Sequence, residues 1–337
     1  MSKRWLLLIP VLLIILYLLG PSPSTPLYKP DLPVVPASAA DLDNYIWQKE
    51  GQHHLKPDNE ARVVWANDSV HSPTAYAIVY LHGFSASQAE GAPLHRDIAR
   101  LFGCNLYLSR LAEHGIDTAD AMINLTADNY WQSAQEALAI GSRLGQKVIL
   151  MGTSTGGTLA LQLAAAYPDK IAALVLLSPN IEINDPNAWL LNNHWGLQIA
   201  RKVTGSDYII SKEDYGPLYR QYWYPKYRIE GAVALQELLE TTMNKETFEK
   251  VHQPVELLYY YKDKIHQDST VKVSAELDMF SQLGTPDSLK YKQAIPNAGS
   301  HVLGSPIRSH DVAGVEDAVK KFFSDYLHLT PVSPAGK

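Results

Sequence analysis

Cysteine is almost absent from this chain of 337 residues, in which Cys104 is the only one. A single cysteine excludes an intrachain disulfide and a metal site built from several cysteines. We interpret Cys104 as a small buried residue near a strand, not as a nucleophile. The chemistry of this protein therefore has to come from other side chains.

Positive charge is also scarce. The chain has 29 Lys and Arg against 35 Asp and Glu, which gives a net charge of −6. No basic run follows the first few residues, so a broad face for nucleic acid is excluded. Hydrophobic residues make up 46% and charged residues 19% of the chain, as in a globular protein that buries a core. The length allows one large α/β domain with an insertion, or two domains.

A long apolar run occurs once, from Trp5 to Leu19, and only Pro10 interrupts it. At ~1.5 Å per residue the run spans about 22 Å, against a hydrocarbon core of ~30 Å. It fits either an uncleaved membrane anchor or a cleaved secretory signal. We favour the anchor, because the small-residue site Ala37-Ser38-Ala39 lies far downstream. Lys3 and Arg4 predict a cytoplasmic start, with the rest of the chain on the non-cytoplasmic side.

The chain divides by composition into three parts. Residues 1–20 are the predicted anchor or signal, and residues 21–40, rich in Pro, Ser and Ala, are predicted to be an extended linker. In residues 41–330, continuous apolar strands alternate with helical patterns, which predicts a mostly parallel sheet flanked by helices. The alternation stops after Pro179, and we expect a helical cap insertion at about 181–251 before it resumes at Val255.

The stretch Gly152-Thr153-Ser154-Thr155-Gly156 follows an apolar run and opens onto a helical pattern of small residues. A G-x-S-x-G sequence between a strand and a helix is typical of a nucleophile elbow, a sharp turn that presents the serine hydroxyl at the edge of a sheet. The flanking glycines fit this turn, since side chains there would collide with a neighbouring strand or helix. The alternative is a Gly- and Ser-rich turn without chemistry.

A serine hydroxyl needs a base, usually a histidine that a carboxylate orients. With a nucleophile elbow, the expected chain order is Ser, then Asp or Glu, then His. Asp263 follows the predicted strand that ends at Tyr261, and we favour it as the orienting acid. Asp268, five residues further on, is the competitor.

His301 lies in a loop after the last predicted strand, and we predict it to be the general base. His266, His310 and His328 are the alternatives. An oxyanion hole needs two backbone N–H groups directed at the developing charge. Thr155 supplies one, and Phe84, in the His82-Gly83-Phe84 turn after a buried strand, is predicted to supply the other.

Together these motifs resemble the α/β-hydrolase fold family over residues 74 to 325. The stretch 262–269 resembles the acid loop of its carboxylesterase, monoacylglycerol lipase and lysophospholipase branch, in which the first aspartate is the triad acid. The resemblance implies a serine esterase that needs no metal or cofactor. It also implies a small acyl ester or lipid substrate, such as a medium-chain ester, a monoacylglycerol or a lysophospholipid.

Three questions stay open in the sequence. The same triad would serve a thioesterase, an amidase or an acyltransferase. The domain would also serve as a non-catalytic, hydrolase-like binding module. The aromatic residues of the cap either line an acyl pocket or only seal the cap onto the sheet; they are Trp189, Trp195, Tyr208, Tyr215, Tyr219, Tyr222, Trp223, Tyr224 and Tyr227.

Overall fold

The computed structural model describes residues 3–332, with side chains from residue 9 onward. Its strands are β1 (Arg62–Val64), β2 (Thr74–Leu81), β3 (Asn105–Leu108), β4 (Gly145–Thr153), β5 (Ile171–Leu177), β6 (Tyr208–Ile210), β7 (Lys226–Arg228), β8 (Val255–Tyr259) and β9 (Lys290–Ala294). Its α-helices are α1 (Lys3–Leu18), α2 (Ala39–Glu50), α3 (Leu94–Leu101), α4 (Ala127–Leu144), α5 (Thr155–Ala166), α6 (Gly196–Thr204), α7 (Pro217–Tyr222), α8 (Ile229–Thr242), α9 (Lys245–Glu249), α10 (Val273–Gln282) and α11 (Val312–Lys321).

Seven strands form one central sheet in the order β1-β3-β2-β4-β5-β8-β9. Every pair in it is parallel except β1 with β3. The predicted mostly parallel sheet flanked by helices is thus confirmed. Because parallel strands all end at the same edge, the loops that follow β2, β4, β8 and β9 converge there.

Apolar cores cover both faces of the sheet. Successive side chains of β2 point in turn into one core and then into the other. Ala77, Val79 and Leu81 pack into the core that α4, α5 and α8 complete. Ile78 and Tyr80 point the other way, into the core that α3 and α11 complete. A strand buried on both faces reads as a continuous apolar run, which is why the sequence reveals it so clearly.

The chain between β5 and β8 forms the cap. It carries α6, α7, α8 and α9 together with a small antiparallel sheet of β6 and β7, in which Tyr208 pairs with Arg228. The sequence predicted the helical character of this insertion but not the two strands. Each strand has only three residues, too few for a period-2 pattern to show.

The N-terminal segment lies against the domain. The Trp195 indole Nε1 donates to Leu16 O at 3.1 Å, and His194 Nδ1 lies 2.7 Å from Gly20 O. Further along, the amides of Leu27 and Tyr28 donate to the Asp128 carboxylate at 2.9 and 3.2 Å. Within the stretch predicted as a linker, Pro21 O accepts from Trp195 N at 2.8 Å. This stretch is therefore fixed to the cap and to α4, and its last two residues already belong to α2.

Helix α1 contains 16 residues. Among residues 3–332, no helix combines the length and the apolar content that crossing a membrane requires, and the transmembrane helix predicted at the N-terminus is not supported. The side chains of Lys3 and Arg4, on which the predicted orientation depends, lie outside the described part of the chain.

Candidate active site

Ser154 occupies a sharp turn between the end of β4 and the start of α5. Its φ of +53° and ψ of −120° are strained for a residue with a side chain. The turn is held from both sides, because Ser154 N donates to Leu177 O at 3.0 Å and Asn180 N donates to Ser154 O at 2.9 Å. This is the strand, turn and helix geometry that a nucleophile elbow requires.

The two flanking glycines are required by close backbone contacts. A Cβ atom on Gly156 would lie 1.9 Å from Leu81 O in the neighbouring strand β2. A Cβ atom on Gly152 would lie 2.4 Å from Gly156 O. Neither backbone oxygen can move away without breaking the sheet or the helix start, so this turn excludes a side chain at both positions.

His301 lies in the loop after β9 and lines the same cavity as Ser154. Its Nδ1 lies 2.5 Å from Asp268 Oδ2, and the side chains are 10% and 0% exposed. Nε2 of His301 is buried and makes no hydrogen bond with the described residues. With Nδ1 held by a carboxylate, this imidazole has one ring nitrogen free to accept a proton from a group in the cavity.

His301 and Asp268 each shift the pKa of the other. Burial acts to lower the pKa of His301, but the Asp268 carboxylate outweighs burial, so the pKa of His301 lies above its usual value. Burial acts to raise the pKa of Asp268, yet His301 and two backbone amides bring it below its usual value. Those amides belong to Thr270 and Val271, which donate to Asp268 Oδ1 at 2.8 and 3.1 Å. Asp268 is therefore ionised, and both of its carboxylate oxygens are hydrogen-bonded.

The prediction that Asp263 orients His301 is wrong. The Asp263 side chain is half exposed, and Oδ1 accepts from the amides of Ile265 and His266, both at 2.8 Å. Its Oδ2 lies 2.9 Å from Nδ1 of His266. All its hydrogen bonds to described residues stay within its own turn, so it stabilises that turn and does not contact His301.

The folding of the loop explains the error. After β8 the chain makes a small excursion in which Lys262 N donates to His266 O at 2.9 Å. The chain then returns, and Asp268 N donates to Tyr260 O at 3.1 Å. Asp268 is thus the aspartate next to the strand end in space, although Asp263 is nearer to it along the chain. The sequence offered no local signal to separate the two, since Oδ1 of each aspartate accepts from the amides two and three residues further on.

Both amides predicted to form the oxyanion hole are free of partners within the described part of the chain. Neither Phe84 N nor Thr155 N donates to any residue that the structure describes. Thr155 is the first residue of α5, where helix N–H groups have no intrahelical acceptor and the helix dipole favours negative charge. Phe84 and Thr155 follow the ends of β2 and β4, which are adjacent strands. Their role in an oxyanion hole stays a prediction.

A cavity of about 590 Å³ separates the cap from the sheet edge. Cap residues Ile199, Val203 and Leu235 line it, as do Ser154 and His301. Of the nine cap aromatics, three line the cavity, namely Tyr219, Trp223 and Tyr227. The other six have different contacts, for example Tyr222, whose hydroxyl donates to Asp58 at 2.7 Å. Aliphatic and aromatic residues together make up most of the cavity lining.

Sequence reasoning missed three charged residues that line the cavity, namely Asp185 and the pair Glu90 and Arg308. Glu90 is only 2% exposed. The Arg308 guanidinium carbon lies 3.6 Å from the centroid of the Tyr215 ring. No local pattern marks any of the three, because only the packing of the cap and the loops decides which charged side chains face the cavity.

Comparison with known proteins identifies the family of the fold. The alpha/beta hydrolase fold family matches residues 76–276, and the chain belongs to this family. No curated protein sequence matches the chain.

Solved structures share the fold at low sequence identity. One, described under the metagenome-derived lipolytic enzymes LipS and LipT, has a TM-score of 0.64 and 16% identity, covering 81% of this chain and 100% of its own. A monoacylglycerol lipase from Paleococcus ferrophilus has a TM-score of 0.59 and 15% identity, covering 79% and 98%. Est1E from Butyrivibrio proteoclasticus, with bound ferulic acid, has a TM-score of 0.54 and 16% identity, covering 80% and 95%.

Proposed function

We propose that this protein is a serine hydrolase that cleaves carboxylic esters through an acyl-enzyme on Ser154. The observation that carries the proposal is the buried His301, whose Nδ1 is held by Asp268 and whose Nε2 has no partner among the described residues. His301 and Ser154 line the same cavity, and Ser154 has the strained backbone of a nucleophile elbow. Neighbours described as lipolytic enzymes, lipases and esterases support ester chemistry.

In the proposed mechanism, Ser154 Oγ attacks the acyl carbon while His301 Nε2 takes its proton. The amides of Phe84 and Thr155 bind the oxyanion, and Asp268 stabilises the imidazolium. His301 then gives its proton to the leaving alkoxide, which departs as the alcohol. A water molecule next loses a proton to His301 and attacks the acyl-enzyme. His301 returns this proton to Ser154 Oγ as the bond to the acyl carbon breaks, which releases the carboxylic acid and restores both side chains.

The proposed substrate is a small acyl ester or lipid, such as a medium-chain ester, a monoacylglycerol or a lysophospholipid. The mainly apolar lining of the cavity favours an acyl chain, and its volume lies within the roughly 300–1,000 Å³ of small-molecule sites. A thioester, an amide or an acyl acceptor other than water would use the same residues, so these remain the alternative chemistries. The N-terminal sequence alone is the basis for proposing a location on the non-cytoplasmic side.

A fluorophosphonate probe with an intact-mass readout tests the proposal on the full chain. We expect one adduct on the wild type and none on Ser154→Ala. Ser178→Ala is the matched control, because Ser178 is also a buried serine with positive φ at the end of the adjacent strand β5. It should label like the wild type. A folded wild type without an adduct would contradict the proposal and favour a non-catalytic binding role.

Substrate class is then resolved with p-nitrophenyl esters of increasing chain length, assayed beside a thioester and an anilide of the same acyl group. The mainly apolar cavity predicts that kcat/KM increases from the acetyl to a medium-chain ester. A higher kcat/KM for the thioester or the anilide would favour the alternative chemistry.

A further inference from the structure

The proposed mechanism gives no role to Glu90, a buried carboxylate in the short turn Gln88–Gly91. Its side chain lines the cavity and is 2% exposed. No Lys, Arg or His nitrogen among the described residues lies within ion-pair distance of it. Burial without an ion pair raises the pKa of Glu90 to about 7, and the hydrogen bond from the Gly83 amide acts in the opposite direction.

Glu90 contacts the turn that carries the proposed oxyanion donor. The amide of Gly83 donates to Glu90 Oε2 at 2.6 Å. A Cβ atom built on Gly83 would lie 3.0 Å from each Glu90 carboxylate oxygen and 3.0 Å from the Cβ of Ser154. The carboxylate, the turn and the proposed nucleophile therefore meet around one point.

His114 holds the same turn from the other side. The amide of Ser85 donates to His114 Nε2 at 3.1 Å, and His114 Nδ1 lies 2.7 Å from Ala112 O. Since a carbonyl only accepts, Nδ1 carries the proton and Nε2 is the acceptor. Burial holds the pKa of His114 well below its usual value, so the neutral form persists.

Glu90 and His114 thus bind the amides on both sides of Phe84. The N–H groups of residues 83 and 85 each have a side-chain acceptor, while the N–H of Phe84 has none among the described residues. The peptides that carry these two N–H groups flank the Gly83–Phe84 peptide on either side. Because both flanking peptides are fixed, the Gly83–Phe84 peptide has little freedom to rotate. The free amide is then oriented before substrate binds, which is the condition for electrostatic stabilisation of an oxyanion.

We propose that Glu90 is a positioning residue for the oxyanion hole: by binding the Gly83 amide opposite His114, it orients the Phe84 N–H toward the developing oxyanion. The inference rests on the proposed function. It assigns Glu90 no contact with the reacting atoms and no proton transfer. Its effect should appear in kcat, because the Phe84 amide gains its full strength only when negative charge develops.

The test compares three variants of the full chain by kcat and KM on p-nitrophenyl butyrate. Glu90→Ala removes the acceptor, and we expect kcat to fall about 10- to 100-fold, with KM within about threefold, because an oxyanion donor contributes on the order of 10²- to 10³-fold. Glu90→Gln keeps an oxygen acceptor and should stay within about threefold of the wild type. Glu90→Asp keeps the carboxyl group but shortens the side chain so that it no longer reaches the Gly83 amide, and it should be slow like Glu90→Ala.

Glu256→Ala is the matched control for removal of a buried carboxylate. Glu256 is 0% exposed and lies in β8, away from the cavity lining. It should change urea stability without changing kcat per folded molecule. Unchanged kcat in both Glu90→Ala and Glu90→Asp, or a Glu90→Gln variant as slow as Glu90→Ala, would overturn the inference while leaving Ser154 labelling intact. An unlabelled wild type would overturn both this inference and the proposed function.

Discussion

Replacing Asp268 with Asn tests the proposed triad most directly. The substitution keeps the shape of the side chain, and the amide oxygen can keep both backbone bonds, from Thr270 at 2.8 Å and Val271 at 3.1 Å. The NH₂ group then occupies the position of Oδ2, 2.5 Å from His301 Nδ1. Because NH₂ only donates, Nδ1 must become the acceptor, and the ring proton moves to Nε2.

An imidazole protonated on Nε2 cannot accept the Ser154 proton. We therefore expect kcat to fall on the order of 10⁴-fold, the effect of the same change in a serine protease triad. This equals about 5 kcal/mol of lost transition-state stabilisation. The KM should change little, since the cavity lining is unaltered.

The pH dependence of activity provides an independent test of the Asp268–His301 pair. Asp268 is the main group that raises the pKa of His301 against the lowering effect of burial. Activity requires neutral His301, so it should rise with pH through that pKa. In Asp268→Asn the pKa of His301 falls, and the acidic limb of the residual activity should move to lower pH.

Asp263→Asn is the matched control, since Asp263 is half exposed and hydrogen-bonds only within its own turn. It should keep kcat within about twofold. Both variants are assayed with p-nitrophenyl butyrate and by the rate of fluorophosphonate labelling, after thermal melting has shown that each is folded. Comparable losses in the two variants, or a larger loss in Asp263→Asn, would refute the reasoning.

Two further predictions concern the scaffold. Gly156→Ala places a Cβ 1.9 Å from Leu81 O and should lower the free energy of unfolding by about 3 kcal/mol or more, measured by urea titration; an unchanged midpoint would contradict the close contact. Burial raises the pKa of Glu256 well above its usual value, so the stability it contributes is lost as pH rises above the unfolded pKa. Glu256→Gln should match the wild type in Tm at pH 4 and exceed it increasingly toward pH 9, whereas a constant difference would exclude this ionisation.

Local signals account for the parts of the fold that the sequence revealed. Strands β2, β4 and β5 are buried on both faces and therefore appear as apolar runs, and the turn after β4 requires glycines at fixed positions because of atoms close by. Strands β6 and β7, with three residues each, carry no such signal. No sequence pattern predicted that the amides of residues 27–28 bind Asp128, because this contact joins segments about a hundred residues apart.

By itself, the sequence determined the α/β architecture, the elbow at Ser154 and the turn at Phe84, because each depends on residues adjacent along the chain. The tertiary structure decided which aspartate reaches His301, since an excursion of the loop returns Asp268 to the strand end and leaves Asp263 at the surface. It also decided that Glu90 faces the cavity beneath the Phe84 turn. Both depend on how separate loops pack at one sheet edge, and that packing is a property of the whole fold.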